Sequence, residues 1–206
     1  MQNSRGGPWF VKLMLLAWLG LCGCSNHDLA TPSDGERISP AKQMLPMTIK
    51  LTSHDFEPGA AIPRACTGEG EDRSPQIAWA QVPAGTRELA LICDDPDAPT
   101  AEPWVHWVIY GVAPTPTSLP AGLLKSAVIQ QPVQAKQGRN SWPTGQTVGY
   151  RGPLPPPGHG VHHYHFTLYA LDQELSLDAG ATKNALRKAM RGHILATGEL
   201  IGTYQR

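Results

Sequence analysis

Three segments of this chain place acids, imidazoles and aromatic rings at spacings suited to holding or acting on a small polar ligand. The first, Asp94-Asp95-Pro96-Asp97-Ala98-Pro99, closes an apolar run with three acids and two prolines. Asp95 and Asp97 are two residues apart, so an extended backbone points both carboxylates to one face, and the prolines fix that backbone. Two carboxylates so close repel one another and need cations or donors opposite them. An acidic turn that satisfies its own backbone amides is the plainer alternative. The second segment, Trp104-Val105-His106-Trp107-Val108-Ile109-Tyr110, reads as a strand rich in β-branched and aromatic residues. Alternation puts Trp104 and His106 on one face and Val105 and Trp107 on the other. An imidazole near the acid pair would supply its missing partner, whereas a hydrogen-bonded core histidine is the alternative. The third runs from Gly149 to Phe166 and carries Pro153, Pro155, Pro156, Pro157, Gly158 and Gly160 ahead of Val161-His162-His163-Tyr164-His165-Phe166. Here a rigid loop feeds a strand on which His162, Tyr164 and Phe166 share one face. Glycines at 158 and 160 allow a ligand to approach backbone N–H groups closely.

Other chemistries find less support in the residues. His163 and His165 share a strand face at a spacing zinc sites use, but a third or fourth ligand is needed, and neither Cys-x-x-Cys nor His-Glu-x-x-His is present. No metal or cofactor is therefore expected. Gly-x-Ser-x-Gly is missing, and nothing in the sequence marks Ser74 or Ser141 as a nucleophile. These segments point to binding, not catalysis. Seventeen basic and seventeen acidic side chains cancel, which gives no electrostatic case for nucleic acid.

The elements that must position these residues are mostly strands. Met47–Thr52, Gln76–Trp79, Glu88–Cys93, Val105–Tyr110 and Val161–Leu171 are strand-like runs, with Pro58-Gly59 and Pro83-Ala84-Gly85 as turn signals between them. Glycine (21) and proline (20) together fill about a fifth of the chain, which favours a loop-rich β protein over a helical bundle. One helix is expected, over Ala181–Ile194, where Leu186, Ala189, Met190 and His193 recur at helical spacing. Asp178 or Thr182 would cap its start, and Gly192 would end or interrupt it.

Residues 1–23 read as a targeting segment. Arg5 and Lys12 precede the apolar run Leu13–Leu21, which is shorter than the ~20 residues of a spanning helix and fits the core of a secretory signal. The run ends in Leu21-Cys22-Gly23-Cys24, which resembles the bacterial lipobox and makes Cys24 the expected lipidated residue. An ordinary cleaved signal or an uncleaved anchor is the alternative. Ser25 after Cys24 implies an outer-membrane location facing the periplasm. Residues 24–46 are then the lipidated Cys and a polar, proline-bearing tether, and residues 47–206 the domain. An oxidising periplasm would permit a Cys66–Cys93 disulfide, although Cys93, inside an apolar run, reads more simply as a small buried hydrophobe.

Taken in order, Asp-Pro-Asp-Ala-Pro, Trp-x-His and Gly-x-His-x-Tyr resemble the phosphatidylethanolamine-binding family, in particular its bacterial Raf kinase inhibitor-like branch. Ser74-Pro75-Gln76-Ile77-Ala78-Trp79, Gly149–Pro153 and Gly192–Arg206 add to the resemblance, which covers residues 48–206. It implies a mainly β fold of two packed antiparallel sheets in a Greek-key sandwich, with a helix near the carboxyl end. It also implies a small pocket for phosphate-type anions or phosphoethanolamine-like head groups, formed by Asp95, Asp97, Trp104, His106, Pro155, Pro156, Gly160, His162 and Tyr164. On this reading protonated or hydrogen-bonding His106 and His162, with backbone N–H groups near Gly160, hold the phosphate. Asp95 and Asp97 orient the imidazoles and keep them basic. By analogy the family implies a homodimer and modulation of a partner protein. The competing functions are a periplasmic protease inhibitor and a hydrolase of a small phospho-ligand. Two residues depart from the family pattern: His163, where many relatives carry Arg, and Leu154, where bacterial relatives often carry Cys.

Overall fold

A computed structural model describes residues 49–206; the expected signal segment, Cys24 and the tether lie outside the described residues. Nine strands and one helix follow in order: β1 (Lys50–Thr52), β2 (Ile77–Ala80), β3 (Glu88–Asp95), β4 (Trp104–Val112), β5 (Ser118–Leu119), β6 (Val128–Ile129), β7 (Ala135–Gln137), β8 (His162–Leu171), α1 (Lys183–Ala189) and β9 (Ile194–Tyr204). They form a three-stranded sheet in the order β1-β2-β5 and a six-stranded sheet in the order β6-β7-β4-β3-β8-β9. All strand pairings are antiparallel. The two sheets and the one α-helix among the described residues match the expected fold class. Among the described residues, no helix is long and apolar enough to cross a membrane.

The six-stranded sheet is the middle layer. One face builds the larger core, with Leu89, Leu91 and Cys93 of β3 against Ile49, Leu51, Ile77 and Trp79 from the smaller sheet's side. The other face packs Ala90 and Ile92 against Leu186 and Met190 beside α1. β3, paired on both sides, therefore reads as a nearly continuous apolar run instead of an alternating one. Cys66 and Cys93 are both buried, and both are free thiols.

Three expectations need correction. The helix is only seven residues long. Thr182 caps it by accepting from the Ala185 N–H at 3.2 Å, and Gly192, at φ 82°, turns the chain so that Ile194 begins a strand. That strand, β9, spans eleven residues that showed no strand pattern in the sequence. Its Gly198 and Gly202 sit where a Cβ would come within 2.2 Å of the Ile49 carbonyl oxygen and 2.6 Å of Ile62 Cγ1. The glycines thus allow close approach of neighbouring chain, and they also dilute the apolar alternation.

The third correction concerns β4. Its register against β3 slips between Cys93, opposite Trp107, and Asp94, opposite Val105. His106 is the extra residue of a bulge. Val105 consequently packs toward the helix-side core and Trp107 toward the larger one, so the two do not share a face. His106 and Trp107, though consecutive, both point to the larger-core side, His106 edge-on to Tyr164 and Trp107 edge-on to Tyr150.

Candidate functional site

The bulge, the end of β3, the start of β8 and the proline-rich loop before β8 meet around a cavity of about 230 Å³. Seven of the nine residues expected at a site line it: Asp95, Trp104, His106, Pro155, Pro156, His162 and Tyr164. Asp97 and Gly160 do not. β3 ends at Asp95 and Pro96 begins a turn, so strand alternation stops before Asp97. Its carboxylate instead accepts from both the backbone N–H and the Nδ1–H of His163, each at 2.8 Å. The His163 hydrogen bond holds Asp97 below its ordinary carboxylate value. Asp97 thus orients His163 at the surface, and neither pocket imidazole.

Asp95 is buried with both oxygens engaged. Oδ1 accepts from the Asp97 N–H at 2.8 Å, and Oδ2 lies 2.7 Å from Nδ1 of buried His162. A carboxylate only accepts, so His162 carries its proton at Nδ1. His162 Nε2 meets Nδ1 of His159 at 2.8 Å.

His106 behaves differently. Its Nδ1 lies 2.6 Å from the Arg151 carbonyl oxygen, so Nδ1 carries the proton and donates. Complete burial drives its pKa down to about 4, against the opposing pull of that carbonyl. His106 is therefore neutral near pH 7, which leaves hydrogen bonding, and not charge, as the role open to it of the two expected. Its Nε2 remains as an acceptor. The Tyr164 hydroxyl is buried and has no hydrogen-bond partner among the described residues, and desolvation raises its pKa, so it keeps its proton. Both rings are held by aromatic edges: His106 lies 5.0 Å from Tyr164 and 5.1 Å from Trp142 between centroids, and Trp142 lies 5.4 Å from Trp104. The Arg151 guanidinium sits 4.6 Å over the Trp142 ring, fixing that wall from behind.

The proline-rich loop is pinned at its root. Gly152 donates its N–H to Asp72 Oδ1 at 2.6 Å, and Tyr150 donates its hydroxyl to the Cys66 carbonyl at 2.7 Å. Near the tip, Arg206 donates from its guanidinium to the Pro155 carbonyl at 3.2 Å, and its own carbonyl accepts from Gly158 at 3.0 Å.

The sequence matches the family description "Phosphatidylethanolamine-binding protein" over residues 52–205. It is 44% identical over 158 residues to the UPF0098 protein of Methanothermobacter thermautotrophicus, covering 77% of this chain and 99% of that one. The chain belongs to the phosphatidylethanolamine-binding family. A second relative, the Mycobacterium tuberculosis protein LppC, named as a lipoprotein, is 36% identical over 203 residues and covers 94% of this chain and 92% of its own. Among solved structures, Escherichia coli YbcL superposes with a TM-score of 0.68 at 30% identity, over 77% of this chain and 99% of that one.

Within this phosphatidylethanolamine-binding fold, the two departures from the family pattern occupy different places. Leu154 lines the cavity, 38% exposed, and a Cβ on Gly68 would lie 3.1 Å from its Cβ. His163 lies outside the cavity with Asp97. His165 is taken by Glu199 at 2.9 Å, so the two histidines of the suspected metal pair answer to different carboxylates. Among the described residues, no three His, Cys, Asp or Glu side chains are placed to share an ion. Sequence reasoning missed Trp142, Ala98, Pro99 and Thr100 as lining residues. Ala98 and Pro99 stood inside the first motif, whereas Trp142 lay in a loop that carried no signal.

Proposed function

We propose that this chain is an envelope lipoprotein whose cavity holds a small phosphorylated head group that also bears an ammonium, of the phosphoethanolamine type. The observation that carries this reading is the convergence on one cavity of a free donor (Tyr164), a free acceptor (His106) and a carboxylate-paired imidazole (His162). A phosphate oxygen accepts from the Tyr164 hydroxyl and from His162 Nε2, a charge-assisted arrangement. The ammonium donates to His106 Nε2 and lies among the rings of Trp104 and Trp142, where cation–π attraction adds to it. Among the described residues no Lys or Arg lines the cavity and Asp95 does, so a zwitterion suits the charge balance better than a bare anion. The volume is below the ~300–1,000 Å³ of pockets for drug-sized ligands, which favours a head group.

Binding without turnover fits the same atoms. His162 faces a second imidazole at Nε2 and no hydroxyl or thiol. The one lining hydroxyl of a serine or threonine, on Thr100, donates to the Glu102 carbonyl at 2.7 Å.

For the anchor, the match to LppC spans 94% of the chain and so necessarily runs through Leu21–Cys24. Lipidation at Cys24, with Ser25 next, gives an outer-membrane protein. Metabolic palmitate labelling that persists in Cys24→Ala would remove the assignment. For the pocket, calorimetry is expected to show weak, saturable binding of phosphoethanolamine, tighter than inorganic phosphate or ethanolamine alone. His162→Ala should lower that affinity about tenfold. Equal binding by wild type and His162→Ala would place the ligand elsewhere.

A further inference from the structure

Both ring nitrogens of His162 are occupied. Nδ1 is committed to Asp95, leaving Nε2 as the only atom through which His162 can address the cavity, and His159 holds that atom at 2.8 Å with ring centroids 5.0 Å apart. Asp95 and His162 are buried and built into strands, whereas His159 is an exposed loop residue. Nε2 has one hydrogen or one lone pair to offer, and a linear bond to a ligand oxygen excludes a linear bond to His159.

We propose that His159 is a displaceable cap on His162: a ligand that engages the cavity through Nε2 must first push the His159 ring aside. The surrounding loop is suited to this. Gly158 and Gly160 flank His159 at φ 74° and 92°, and a Cβ on either would meet nothing within 4 Å. These glycines serve backbone conformation, not crowding, and the space beside them is open on both sides of His159. Arg206 holds the backbone beside His159, accepting from the Gly158 N–H at 3.0 Å and donating to the Pro155 carbonyl at 3.2 Å, so displacement needs only side-chain rotation of His159. Arg206 is itself held to Glu69, Nε to Oε1 at 3.2 Å.

The cap also selects among ligands. An anionic oxygen forms a charge-assisted bond that outcompetes an imidazole, and a neutral hydroxyl does not. This inference rests on the head-group reading for the identity of the ligand, but not for the existence of the cap.

The two are separable by experiment. Diethylpyrocarbonate acylates free imidazole nitrogen, and peptide mass spectrometry reads the rate at each histidine. In His159→Ala, a change at an exposed residue, His162 should react about fivefold faster than in wild type, while His193, which pairs with Asp172, keeps its rate. An unchanged His162 rate overturns the cap. Calorimetry with phosphoethanolamine is the second arm. Tighter binding by His159→Ala supports displacement, and weaker binding makes His159 a ligand contact and overturns the cap. If neither protein binds phosphoethanolamine while His162 still reacts faster in the variant, the head-group reading fails and the cap stands.

Discussion

At the scale of single residues, the two imidazoles of the cavity are held in opposite ways, and each has a measurable consequence. His106 is desolvated and neutral, with a folded-state value of about 4 against an ordinary 6.5. Between those values the unfolded chain takes up the proton that the folded chain refuses. Stability is therefore full above about pH 6.5 and declines as the pH falls toward 4, by up to roughly 3 kcal/mol. Urea midpoints at pH 7 and pH 5 should show this decline, and His106→Gln, which keeps a donor for the Arg151 carbonyl, should shrink it. An identical pH slope in the two proteins would assign the effect to another group. Tyr164 offers a different test, because its hydroxyl is buried without a partner among the described residues. Removing an unsatisfied polar group costs little, so Tyr164→Phe is expected to leave stability unchanged or slightly higher. Loss of one donor to phosphate should nevertheless weaken phosphoethanolamine binding by about threefold to tenfold. A variant that loses stability and keeps affinity would make the hydroxyl structural.

At the scale of elements, the cavity depends on how the loop before β8 and strand β4 are held from behind. Trp107 donates its indole N–H to Gln137 Oε1 at 2.7 Å, and the Gln137 amide donates to the Leu124 and Ser126 carbonyls at 2.7 and 2.8 Å. Gln137→Leu would strand the buried indole and both carbonyls, at a cost of about 2–4 kcal/mol in chemical denaturation. A Cβ on Gly152 would lie 2.2 Å from the Cys66 carbonyl oxygen. Gly152→Ala must therefore move the loop away from the Arg64–Cys66 turn, and should weaken ligand binding even though Gly152 does not line the cavity. The same elements show what the sequence could and could not convey. β3 and β8 were legible because their apolar run and their alternation directly record burial. The bulge at His106 left no compositional trace, since it arises from pairing with a distant strand. β9 was hidden by Gly198 and Gly202, whose presence is explained only by what packs on them. Asp97 falls outside the cavity because strand alternation stops at the end of β3. The pocket residues came mainly from the ordered motifs, and Trp142, with no motif of its own, joined them only through the fold.

At the scale of the whole molecule, the amino-terminal strand ties the small sheet to the far edge of the large one. Ile49 and Leu51 are buried in the larger core, and the Ile49 N–H donates to the Thr197 carbonyl at 3.2 Å. A chain beginning at Met44 should match the urea midpoint of the mature protein. One beginning at Thr52 gives up two buried aliphatic side chains and should lose several kcal/mol. A drop in the longer form would show that the tether packs on the domain. The two buried cysteines connect folding to the compartment proposed for this chain. Burial pushes the Cys66 thiol up to about 11 and Cys93 well above its ordinary value, and only thiolate reacts. In the folded protein neither is an effective nucleophile, so oxidants pass it by; once unfolded, both are ordinary reactive thiols. The pair therefore works as a clock. With excess thiol reagent, labelling of Cys93 proceeds no faster than the molecule opens, so its rate measures the lifetime of the native state without any added probe.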